Sequence, residues 1–187
     1  MESEYSISNN STTIESITEN LIFEDIQSLN MEDIISYISN YFIILIKLNR
    51  QNKNRKKEKE NDDFYSNRIP VLTIEKYLKR IIKYTQMEKS TLIISFIYIL
   101  HIIEKENYFI CKNNIYRIII ASCLIASKFN EETHYKNSHF AKIGGLNLNE
   151  INFLEYSILS KINFELYVYE GEFYFIIDKI IKNEKKI

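Results

Sequence analysis

The residue types that usually carry out catalysis are present in this 187-residue chain, but they do not stand at catalytic spacings. Its glycines are Gly144, Gly145 and Gly171, whereas phosphate-binding loops need several glycines so that backbone amides can approach the anion. No HExxH, CxxC or GxSxG motif occurs in the sequence. We therefore expect a protein that is not an enzyme and that uses no cofactor.

His134 and His139 are the candidate metal ligands, together with the neighbouring carboxylates Glu131 and Glu132. A spacing of five residues spreads two histidines around a helix instead of placing them on one face, which disfavours a metal site. The two cysteines stand in no metal-ligand or redox spacing, so they indicate a reducing compartment.

The charge balance of the chain and the length of its apolar stretches disfavour nucleic acids and membranes as partners. There are 24 basic and 25 acidic residues, whereas nucleic-acid binding requires a surplus of clustered Lys and Arg. The longest apolar stretch, residues 92–103, is far shorter than the roughly 18 to 20 residues that a membrane span needs. We expect no nucleic acid, membrane or small-molecule substrate as partner, and a location in the cytoplasm and/or nucleus.

Composition and apolar periodicity divide the chain into five regions. Residues 1–30 are predicted to be a mostly disordered tail with a weak helix, and residues 31–48 carry one continuous helical stripe. Residues 49–63 form a charged linker, for which a nuclear-import or anion-binding patch is the alternative interpretation. A box of helices is predicted over residues 64–170, and a C-terminal helix and tail over residues 171–187.

Helix signals recur throughout the central region. Thr73 is a plausible N-cap, and Asn147 with Glu150 three residues later resembles a capping box. A helix over about 113–129 is apolar nearly all round, so we expect it to be central and buried. A short helix over 138–143 is followed by two glycines that favour helix termination. The fold class is therefore predicted to be all-α.

Several ordered motifs in this region resemble a cyclin box. They are FYSNRIP (64–70), TIEKYLKRIIKYT (73–85), NIYRIIIASCLIASKFNEETHYKN (114–137), FAKIGGL (140–146) and NEINFLEYSILSKINFEL (149–166). More narrowly, the order and spacing are similar to those of P/U-type, phosphate-regulon-like cyclins with a single cyclin box. The resemblance covers more than half of the chain.

The resemblance implies a fold and a function. The fold would be a single five-helix cyclin box with flanking N- and C-terminal helices. The function would be that of a regulatory subunit, which binds a cyclin-dependent protein kinase as a heterodimer and positions the mobile helix of its small lobe and its activation loop. The alternative is a cyclin-fold scaffold that binds a non-kinase partner. A DNA-contacting relative would instead need a basic face on the box.

The same resemblance implies which side chains contact the kinase. By their positions in the motifs, these are Lys128, Phe129, Glu155, Leu159, Phe164 and Leu166. The residues themselves leave a second interpretation open, in which Lys128 and Glu155 form an internal salt bridge and the apolar side chains belong to the core.

The chain also departs from the family pattern at one segment. The sequence Tyr98-Ile99-Leu100-His101 stands where the family usually has Tyr-Ile-Asp-Arg. The ion pair built on that Asp is therefore absent, and Arg117 is expected to lack its usual partner.

Overall fold

The structure, a computed structural model, describes residues 26–51 and 62–184. Regular secondary structure in these residues is entirely helical, which confirms the all-α prediction. Residues 26–28 are helical, whereas most of the predicted tail and weak helix (1–25) and of the charged linker (52–61) lies outside the described residues. The helices that follow are α1 Met31–Gln51, α2 Ile74–Thr85, α3 Lys89–Glu106, α4 Ile115–Asn130, α5 Asn137–Gly144, α6 Leu148–Lys161 and α7 Glu170–Glu184.

Helix α4 is the centre of the fold. It packs against α2, α3, α5 and α6, and every side chain from Ile118 to Ser127 is buried. Its small residues, among them Ala121 and Ala126, let neighbouring helices approach closely. A helix without a polar face can be stable in water only when other helices cover it on all sides, so the apolar sequence of α4 accounts for its position.

Local signals account for where three of the helices begin or end. The Thr73 side chain accepts a hydrogen bond from the Lys76 amide at 3.2 Å, and the Asn147 side chain accepts one from the Glu150 amide at 2.8 Å. Both predicted N-caps are therefore confirmed. Helix α5 ends at Gly144 and is followed by Gly145, which has φ of +69°, a conformation that glycine adopts without steric cost.

Two helices flank the five-helix box formed by α2 to α6. Helix α1 packs on α2, α3 and α7, and the rings of Tyr37, Tyr41 and Phe42 surround Phe96 of α3 edge-on. Helix α7 packs on α1 and α3. Polar contacts add to this packing, because Glu172 of α7 lies 2.5 Å from the His101 ring of α3.

Phe96 should be one of the most costly side chains to remove. It is buried and contacts three aromatic rings, so Phe96→Ala should lower the free energy of unfolding by about 3–5 kcal/mol. Urea unfolding followed by circular dichroism measures this change. Phe153→Ala, at a ring that is half exposed, is the matched control and should cost less than about 1 kcal/mol. Equal losses for the two variants would contradict the assigned core.

Candidate protein-binding site

The six residues predicted to contact a partner lie in one neighbourhood. Lys128 and Phe129 lie in the last turn of α4, and Glu155 and Leu159 lie on the adjoining helix α6. The chain after α6 returns to the same place, because the Phe164 amide donates a hydrogen bond to the Leu159 carbonyl at 2.8 Å. Leu166 borders the same cavity as Phe129 and Phe164.

Lys128 and Glu155 form an ion pair within the chain. The Lys128 Nζ atom lies 2.6 Å from Glu155 Oε1, and the Asn137 side chain donates to Glu155 Oε2 at 2.7 Å. The Glu155 side chain is only 17% exposed and that of Lys128 is 34% exposed. Both carboxylate oxygens are thus satisfied, as a partly buried charge requires. The salt-bridge interpretation describes the isolated chain, and a partner's contacts must add to this pair or replace it.

An exposed group of aromatic side chains, here called the aromatic patch, adjoins this ion pair. Phe129, Phe164, Tyr167 and Tyr169 border an open cavity of about 400 Å³, and each is more than half exposed. Tyr156, 63% exposed, packs against Phe164 with 6.4 Å between the ring centroids. Contiguous exposed aromatic surface of this kind is typical of protein interfaces.

The backbone at Phe164 is strained. Asn163 and Phe164 have φ of +56° and +59°, a region that costs a bulky side chain about 1–3 kcal/mol. Two backbone hydrogen bonds hold this turn. The Phe164 amide donates to the Leu159 carbonyl at 2.8 Å, and the Glu165 amide donates to the Ile162 carbonyl at 3.1 Å. The turn leaves the Phe164 ring 59% exposed instead of burying it in the core.

Leu159 and Leu166 differ from the exposed aromatics. Both are partly buried and pack against the core, so each offers only part of its surface to a partner. The Tyr98 hydroxyl, from the segment that departs from the family pattern, donates to the Leu166 carbonyl at 2.8 Å. The core therefore fixes the position of the chain that carries Tyr167 and Tyr169.

Arg117, which was expected to lack its usual Asp partner, pairs with a different carboxylate. Its guanidinium forms an ion pair with Glu150 of α6 and donates to the Tyr65 carbonyl at 2.9 Å. Glu150 was expected to complete a capping box with Asn147, but its carboxylate is used by Arg117. The partner was missed because it lies 33 residues away in sequence and is brought close only by packing of α4 on α6.

His139, one of the two candidate metal ligands, makes contacts within the fold. The His139 ring stacks on Tyr135 with 4.2 Å between centroids, and its Nε2 atom lies 2.9 Å from the Tyr84 carbonyl. Across the described ranges 26–51 and 62–184, no three His, Cys, Asp or Glu side chains are placed to share a metal ion. Nor does any helix in those ranges have the length and apolarity required to cross a membrane.

Comparison with known proteins decides the family of this chain. The family model for cyclins matches residues 10–166. The chain belongs to the cyclin family.

Named relatives of this cyclin confirm its resemblance to the P/U type. It is 40% identical to Cyclin-U2-1 of Arabidopsis thaliana over 101 residues, covering 54% of this chain and 46% of the relative. It is 31% identical to Cyclin-U4-3 of the same plant over 146 residues, 78% and 67% of the two chains. The PHO85 cyclin-like protein psl1 of Schizosaccharomyces pombe is 31% identical over 160 residues, with 77% and 65% covered. The chain spans about half the length of Cyclin-U2-1 and of several other curated relatives that it matches.

The ion pair in this cyclin should be measurable as a coupling energy. In a double-mutant cycle with Lys128→Met and Glu155→Gln, we expect a coupling of about 0.5–1 kcal/mol, because the carboxylate is largely buried. Urea unfolding of the four proteins gives the value. The control pair is Lys182 with Asp178, which is more exposed and should couple by less than about 0.5 kcal/mol. Absence of coupling between Lys128 and Glu155 would contradict the observed contact.

Proposed function

We propose that this cyclin binds a cyclin-dependent protein kinase through Lys128, Glu155 and the aromatic patch, and that binding activates the kinase. The observation that carries the proposal is the meeting of these two charges, which match family motif positions, beside an exposed aromatic surface. The relative psl1 is named a PHO85 cyclin-like protein, and a cyclin-type role of that relative supports the same class of partner here.

The ion pair of Lys128 and Glu155 would orient a bound protein on this surface. Lys128 is in the last turn of α4, so its ammonium stands near the helix's negative end and is one-third exposed. With one carboxylate as its internal partner, it has further N–H donors for carbonyl groups of a bound protein. Glu155 holds this ammonium in place, which lowers the conformational cost of binding.

The aromatic patch supplies apolar contact area. Tyrosine and other aromatic residues are enriched among the side chains that dominate binding energies at interfaces. Phe129, Phe164, Tyr167 and Tyr169 border one cavity, which an apolar side chain of the partner can enter. Leu159 and Leu166 form the partly buried edge of this surface and link it to the core.

Binding activates the kinase if the cyclin binds the active state of the kinase more tightly than the inactive state. Only such a difference in affinity can move the kinase population toward its active state. In the active state a Glu of the mobile small-lobe helix pairs with the Lys that contacts the ATP phosphates, and the activation loop is ordered. The cyclin adds no catalytic group to this reaction.

Reversal of the charge at Glu155 tests the proposed surface. Glu155→Lys should weaken binding to the kinase by about 2–5 kcal/mol, because it removes an interface charge and places two cations side by side. Calorimetric titration against candidate cyclin-dependent kinases from the same cell measures the affinity, and phosphorylation of a peptide measures activation. Glu155→Gln removes the negative charge without adding a cation beside Lys128, so it measures the loss of the charge alone.

Asp178→Lys is the matched control for Glu155→Lys, since Asp178 lies on α7 and pairs with Lys182. It should bind and stimulate the kinase like the wild-type chain. Equal affinity of Glu155→Lys and wild type would remove Glu155 from the site. Binding without stimulation would instead favour the scaffold function, and thermal unfolding of each variant verifies that it is folded.

Phe164→Gly should separate binding from stability. Glycine adopts positive φ without steric cost, so relief of strain should offset the lost ring contacts and leave the free energy of unfolding within about 1 kcal/mol of wild type. Affinity for the kinase should fall at least about tenfold, because an exposed aromatic of the patch is lost. Phe175→Ala, at an exposed ring on α7, is the control and should bind normally. Unchanged affinity of Phe164→Gly would exclude the patch.

A further inference from the structure

The outer face of α2 carries three basic side chains with which no described carboxylate forms a salt bridge. Lys76, Arg80 and Lys83 follow one another at spacings of four and three residues, which places them on one side of the helix, and all three are exposed. Lys79, at the edge of the same side, is held between two glutamates at 2.5 Å and 2.9 Å. Among residues 26–51 and 62–184, no carboxylate forms a salt bridge with the other three.

Helix α5 extends this charged surface. It runs antiparallel to α2, because His139 Nε2 lies 2.9 Å from the Tyr84 carbonyl near one end, and Gly144 borders the same cavity as Tyr77 near the other. Lys142, which is exposed, therefore stands level with the middle of α2.

We define the cationic face as Lys76, Arg80, Lys83 and Lys142. It is a local excess of positive charge in a nearly neutral chain of 24 basic and 25 acidic residues. Like charges in such a group repel one another, so an anionic ligand that binds there is favoured. The matching excess of negative charge is in residues 1–25, which contain no Lys, Arg or His. The acidic residues of this segment are Glu2, Glu4, Glu15, Glu19, Glu24 and Asp25.

The acidic segment joins the described chain beside the cationic face. The Lys89 ammonium lies 3.3 Å from the Ile26 carbonyl and 2.6 Å from the Leu29 carbonyl, so the chain at residue 26 is anchored at the start of α3. Only three residues separate Lys89 from the end of α2 at Thr85, the end that carries Lys83. The cationic side chains of α2 span about 10 Å along its axis, a distance that a segment of this length can cover.

We propose that residues 1–25 bind in cis to the cationic face, with Glu15, Glu19 and Glu24 as the principal contacts. The tether raises the effective concentration of the segment at the face, and the exposed charges make the interaction sensitive to salt. While bound, the segment occupies the surface that an acidic peptide of another protein would require. None of the residues of the cationic face belongs to the surface that is proposed to bind the kinase, and binding of the segment does not depend on that function.

Acetylation rates of individual lysines in the full chain, followed by mass spectrometry at low ionic strength, test the proposal. In Glu15→Gln/Glu19→Gln/Glu24→Gln, Lys76, Lys83 and Lys142 should react about threefold faster than in the wild type, because the segment no longer covers them. In the wild type, roughly 1 M NaCl should produce the same increase, since the Debye length is then about 3 Å.

Two controls make the test specific. Asp63→Asn/Glu104→Gln/Glu170→Gln removes the same number of exposed acidic charges elsewhere and should leave the rates unchanged. Lys47, exposed on α1, should react at one rate in every protein. Equal rates at the cationic face in wild type and in the first variant would overturn the proposal.

Carbodiimide cross-linking of the wild-type chain identifies the occupant. Links from Glu15, Glu19 or Glu24 to the lysines of the cationic face, with a yield independent of protein concentration, would support the proposal. Links mainly to lysines of the charged linker at 49–63 would overturn it. So would links that form only between two copies of the chain.

Discussion

Burial of α4 on all sides governs how the other helices are arranged. Ten consecutive side chains, from Ile118 to Ser127, are inaccessible to water, so α2, α3, α5 and α6 must surround one helix. This arrangement fixes where α4 leaves the core, and its first exposed side chains there are Lys128 and Phe129. The candidate site thus begins where α4 changes from buried to exposed side chains.

The ion pair at this point illustrates how a structural contact can also prepare a binding surface. A carboxylate as buried as that of Glu155 needs partners inside the chain, and Lys128 and Asn137 provide them. The same contacts restrict the lysine side chain, which would lower the entropy cost of the partner binding proposed above. Internal pairing and partner binding are therefore compatible roles for one pair of residues. Beside it, the strained turn at Phe164 keeps an aromatic ring in contact with water.

Features that depend on neighbours along the chain could be predicted from the sequence. The caps at Thr73 and Asn147 are hydrogen bonds between residues three apart, and the central position of α4 follows from its lack of a polar face. Features that depend on distant residues could not. The carboxylate partner of Arg117 comes from another helix, and Tyr167 and Tyr169 follow α6 in a segment with no helical periodicity to mark them.

The helical class, the central helix and, through ordered motifs, the cyclin family could all be predicted from the linear chain. They depend on local periodicity and on the spacing of residues along it. The folded chain was needed to show that Lys128 meets Glu155 across 27 positions, and that five aromatic side chains from three segments form one patch. Such contacts depend on how helices pack, and packing is set by the shapes of all buried side chains together, not by any short stretch of sequence.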